Sequence, residues 1–157
     1  MLFVQIALLF LFASAPALTV HVSNLDVTCL KCICTASTGC NENFSCSPEG
    51  FCGPFFISRK YWEDAGSLTL GASSKYSLDG GYNDCTKNFQ CASNVVTNYM
   101  AENGWDCNDD GVTDCDDYAR IHFLGPERCD QSIENSLYYK RYLSCRPPKA
   151  ADTFSQV

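Results

Sequence analysis

Cys29-Leu30-Lys31-Cys32-Ile33-Cys34-Thr35-Ala36-Ser37-Thr38-Gly39-Cys40 is the stretch on which the fold turns. Residues 25–34, following Asn24, read as a short helix. A Cys29-x-x-Cys32-x-Cys34 run can hold zinc or supply disulfides. Scarce histidine, two in the whole chain, favours disulfides.

Upstream, residues 1–12 are almost wholly apolar, and Ala13-Ser14-Ala15-Pro16-Ala17 is rich in small residues. That pattern is a cleavable export leader over residues 1–17, and it is too short to span a bilayer. Removing it leaves about 140 residues, 18–157, enough for one domain with a modest core. All 12 cysteines fall there: Cys29, Cys32, Cys34, Cys40, Cys46, Cys52, Cys85, Cys91, Cys107, Cys115, Cys129 and Cys145. An even count in an exported chain predicts six disulfides, whose pairing the sequence leaves open. The expected location is extracellular. A net charge of −7 disfavours nucleic acid and anionic membranes as partners.

Downstream, residues 40–56 are dense in Gly, Pro, Ser and Cys and predict turns with a small hairpin. Residues 58–65 read as a helix with Ser58 as its N-cap, and 68–83 as a surface loop. Phe89, Ala92, Val96 and Tyr99 recur at helical spacing, ending at Gly104. Asp116 is the expected cap of a helix carrying Tyr118, Ile121 and His122 up to Gly125. Ser132 is the expected start of the last helix, with Ile133, Leu137 and Tyr138 inward. The tail after Cys145, with Pro147-Pro148, reads as loose. The sum is a helix-dominated, disulfide-rich α+β domain with its core over 29–145.

The cysteine run that ends in Gly39-Cys40 resembles the opening of the invertebrate-type, or destabilase-type, lysozymes. Cys52-Gly53-Pro54-Phe55, Tyr61-Trp62, Cys91-Ala92-Ser93 and Asn98-Tyr99-Met100 continue the likeness. Tyr118-Ala119-Arg120, His122, Gly125-Pro126 and Cys129 complete it. The resemblance implies a lysozyme-like fold, a glycan groove involving Phe55, Phe56, Trp62 and His122, and bacterial peptidoglycan or a chitin-like oligosaccharide as partner. It implies no cofactor for the chemistry.

Hydrolysis of a β-1,4 bond between amino sugars needs a carboxylic acid at the leaving oxygen and a second carboxylate for the cationic centre. By the resemblance, the acid belongs two residues before Gly39-Cys40, where this chain has Ser37. A hydroxyl is too weak an acid for that role. The second carboxylate belongs in the loop Cys46-Ser47-Pro48-Glu49-Gly50-Phe51-Cys52, whose sole acid is Glu49, a weak surrogate. Some relatives are credited with isopeptide cleavage. The nucleophilic Ser and the Lys of that arrangement match Phe51 and Ser58, so only His122 persists. Two further family cysteines match Ala65 and Val95, which suggests that one bridge was lost as a unit. The expectation is a lysozyme scaffold with little or no muramidase activity. Three readings stay open: a hydrolase, weak or active through substitute carboxylates such as Glu49; a catalytically dead glycan binder; or a stapled interaction module.

Two more features stand out. Asp106, Asn108, Asp110, Val112, Asp114 and Asp117 fall at the spacing of an EF-hand loop, with Gly111 at its turn, so structural Ca²⁺ is a candidate. Asp-capped turns account for the same residues. Asn43-Phe44-Ser45 is an acceptor sequence for N-glycosylation.

Overall fold

The computed structural model describes residues 20–71 and 79–147. Residues 1–17, where a leader is expected, part of the expected loop 68–83 and the tail beyond 147 lie outside them. The described chain forms six α-helices: α1 Val27–Thr38, α2 Arg59–Asp64, α3 Tyr82–Lys87, α4 Phe89–Asn103, α5 Cys115–Leu124 and α6 Leu137–Cys145. A 3-10 turn, Pro126–Arg128, follows α5.

α1 begins two residues later than the sequence suggests, because the Asp26 side chain accepts from Cys29 N–H and caps it. It also runs past Cys34 to Thr38. Thr35 and Ser37 are weak helix formers, yet each hydroxyl donates to the carbonyl four residues back. Gly39, with φ of +72°, ends the helix in the left-handed region. The buried face is Cys29, Cys32, Ile33, Cys34 and Ala36.

α1 packs against α6, α3 against α4, and α4 also meets α2 and α5. The predicted hairpin shrinks to two isolated antiparallel bridges, Cys46 with Cys52 and Cys52 with Ile57. Gly53 beside them has φ of +71°, and a Cβ there would lie 1.7 Å from the Thr86 carbonyl oxygen. Only glycine permits this approach.

All 12 cysteines pair, so the zinc alternative falls away. Cys29–Cys115 and Cys32–Cys145 tie α1 to α5 and α6 across separations of 86 and 113 residues. In the chain-entropy picture each restricts the unfolded chain by about 4–5 kcal/mol. The six-residue separations of Cys34–Cys40, Cys46–Cys52 and Cys85–Cys91 give about 2 each. Cys107–Cys129 closes the acidic loop onto the turn after α5. Ala65 and Val95 are both buried, so apolar packing occupies the places where the resemblance puts a bridge.

Three boundaries differ from expectation. α3 follows Gly81 inside the stretch read as loop. α5 is capped by Asp114 and not by Asp116, which instead turns inward to Tyr142 and Arg146. α6 is capped by Ser136 and not by Ser132. Ile133 is buried in the preceding segment, and Leu137 is exposed.

Candidate functional site

The last turn of α1 brings Ser37 to His122 on α5. Ser37 Oγ lies 3.3 Å from His122 Nε2 and donates to the Ile33 carbonyl at 2.9 Å. His122 Nε2 is also 2.8 Å from the Phe55 carbonyl oxygen, which can only accept, so this nitrogen carries the proton. Nδ1 then accepts from Tyr61 O–H at 3.1 Å. Burial lowers the His122 pKa to about 4, against a smaller opposing effect of the Phe55 bond, so the ring is neutral near pH 7. Tyr61 is itself held by ring stacking on Tyr99, and burial raises its phenol well above the usual range.

This geometry sets the chemistry. A serine nucleophile needs an imidazole nitrogen free to take its proton. Here the nitrogen facing Ser37 is a donor, and the serine proton is committed to a helix carbonyl. Phe51 stacks on Phe56 with centroids 4.8 Å apart, and Ser58 caps α2 through Tyr61 N–H. Neither residue supplies what peptide-bond cleavage requires.

Ser37 and His122 open onto a groove made of two adjoining cavities of about 380 and 430 Å³. Phe51, Phe56, His122 and Phe123 line both. The first continues to Ala36, Leu137, Tyr138 and Arg141, and among the described residues no carboxylate lines it. The second reaches Ser58, Lys60, Asp64 and Arg128. Its one carboxylate, Asp64, is paired with Lys60 and open to solvent. Larger openings of about 570 and 610 Å³ lie elsewhere and contain neither Ser37 nor His122.

Of the groove residues expected from sequence, Phe56 and His122 line it. Phe55 and Trp62 do not: their rings are buried in the core, and Phe55 contributes its carbonyl alone. Trp62 Nε1–H donates to the Leu68 carbonyl. Glu49 sits fully exposed in the turn before Phe51. The Ser47 hydroxyl lowers its pKa, the reverse of what a proton donor needs. The sequence names Tyr61 in the family likeness and Tyr138 as an inward residue but assigns neither to the groove, and it does not reach Phe123 or Arg141. Asn43 is exposed, and the neighbouring Phe44 meets Phe56 edge-on.

The acidic loop is organised around backbone N–H groups. Asp106 accepts from Asp110 and Gly111, Asn108 from Asp110, and Asp110 from Val112. Asp114 and Asp117 form a capping box at the start of α5, and Asp117 also accepts from Cys107. Burial raises the Asp117 pKa, and those bonds oppose it. Among the described residues, no cluster of three or more His, Cys, Asp or Glu side chains is placed to hold a metal.

The destabilase family model matches residues 26–145. The chain belongs to the destabilase family, that of the invertebrate-type lysozymes. Its relatives include "Lysozyme" of Magallana gigas, 34% identical over 122 residues that cover 73% of this chain and 77% of that one. "Lysozyme 1" of Crassostrea virginica is 33% identical over 116 residues, 72% of this chain and 55% of the relative, whose length this chain spans by just over half. Among solved structures, Meretrix lusoria lysozyme in complex with Aeromonas hydrophila PliI superposes with a TM-score of 0.59 at 28% identity. That match covers 77% of this chain and 93% of the other. This destabilase-family chain therefore has the disulfide-rich lysozyme-like fold.

Proposed function

We propose that this chain is an exported member of the lysozyme family that binds glycan in the polar half of its groove and hydrolyses it very slowly or not at all. The observation that carries the reading is Ser37. The α1 position that the family resemblance assigns to the acid holds a hydroxyl bonded to Ile33 and His122, and among the described residues no carboxylate lines the adjoining cavity. Proton donation alone contributes roughly 10²–10⁴-fold in rate. His122 is no substitute: the ring is neutral near pH 7, and its one N–H, bonded to the Phe55 carbonyl, is far too weak an acid to protonate a leaving oxygen. The polar half of the groove, with Ser58, Lys60 and Arg128, suits the hydroxyl and amide groups of peptidoglycan or a chitin-like oligomer. The leader over 1–17 and the disulfides support action outside the cell.

The test is equilibrium binding of N-acetylglucosamine oligomers to oxidatively folded protein, with reducing ends assayed in the same tubes. Saturable binding without new reducing ends supports the proposal; rapid release of reducing ends refutes it. A second reading, a stapled protein-interaction module, is favoured by burial of the Phe55 and Trp62 rings. Absence of any oligomer binding would select it.

A further inference from the structure

We propose that the half of the groove between Ser37 and Arg141 binds an amphipathic anion: an alkyl chain ending in a carboxylate. The cavity of about 380 Å³ falls in the range that holds small molecules, and its walls are mostly side chains of Ala, Leu, Phe and Tyr. Three of the chain's large exposed apolar residues, Phe56, Phe123 and Leu137, gather there. Such a cluster marks an apolar ligand's seat.

The polar groups argue against sugar in this half. Each sugar hydroxyl asks for a donor or an acceptor. Among the described residues the lining offers no Asp, Glu, Asn or Gln. Ser37 and His122 have their protons committed within the protein. What remains is cationic. Arg141 is exposed at the rim and makes no salt bridge among the described residues. Tyr138 lines the same cavity with its ring, stacked on Phe123 with centroids 4.7 Å apart, and its hydroxyl is buried. A guanidinium suits a carboxylate, an acceptor-only group, at the end of an apolar tail. The inference stands apart from the question of hydrolysis, because its test reads binding alone.

The probe is dodecanoate below its micelle concentration, titrated calorimetrically into the full, oxidatively folded chain, with dodecanol as the neutral control. Expected are one saturable site and weaker binding of dodecanol. Arg141→Met removes the charge and keeps the stem; Leu137→Glu places a like charge on an exposed first-turn position where helices accept acids. Each variant weakens dodecanoate by about tenfold or more, with thermal unfolding confirming that both are folded. No saturable site, equal affinity for the alcohol, or affinity unchanged in both variants overturns the proposal.

Discussion

Lowering the pH from 7 to 5 should destabilise this protein through one imidazole. His122 is neutral in the fold, with a pKa lowered from 6.5 to about 4. The unfolded chain therefore binds a proton in this interval and the folded chain does not, so stability falls as pH drops through 6.5 towards 4. For a fully buried ring the difference between pH 7 and pH 5 is about 2 kcal/mol. His122 retains partial exposure, so roughly 1–2 kcal/mol is expected. The assay is guanidinium unfolding with the disulfides intact, followed by tryptophan fluorescence, for wild type and His122→Gln at both pH values. Other groups, including Asp117, whose raised pKa acts in the opposite sense, titrate alike in both proteins and cancel. Wild type should lose roughly 1–2 kcal/mol more than the variant between pH 7 and 5. Equal losses would refute a neutral His122 locked between Phe55 and Tyr61.

Three further outcomes follow from the packing. Tyr138→Phe removes a buried hydroxyl that has no partner among the described residues and should raise stability by about 1 kcal/mol in denaturant unfolding; a loss of similar size would mean the hydroxyl is satisfied. Gly53→Ala should destabilise by roughly 3 kcal/mol or more, since the new Cβ meets the Thr86 carbonyl at an unfavourable φ; a fall in yield of oxidised protein is the simpler readout. Calcium at millimolar concentration against EDTA should move Tm by less than about 2 °C, because the carboxylates of residues 106–117 already serve backbone N–H groups. A rise of several degrees would restore the calcium reading of that loop.

Much of the architecture was legible where one signal had no competitor. Ser58 caps α2, and α4 ends at Gly104, because each boundary residue was the sole good candidate at its place. Where candidates competed, tertiary contacts decided. Asp114 and Asp116 are both plausible caps, but Asp116 is taken by Tyr142 and Arg146. Ser132 and Ser136 compete likewise, and burial of Ile133 ahead of α6 selects the later one. The six-residue α3 carries too few apolar positions to show a period. In the site, residue types gave Ser37 and His122 through the family resemblance. Depth was not legible: adjacent Phe55 and Phe56 divide between core and groove, and neither composition nor spacing tells them apart. Tyr61 and Tyr138 reach His122 only through folding.

The account rests on the missing carboxyl proton at Ser37. Its most direct test is the initial rate of bacterial-wall lysis by the oxidatively folded chain, measured beside an active oyster lysozyme at equal concentration. A rate lower by roughly 10²-fold or more is expected; a rate matching the relative's would contradict the account.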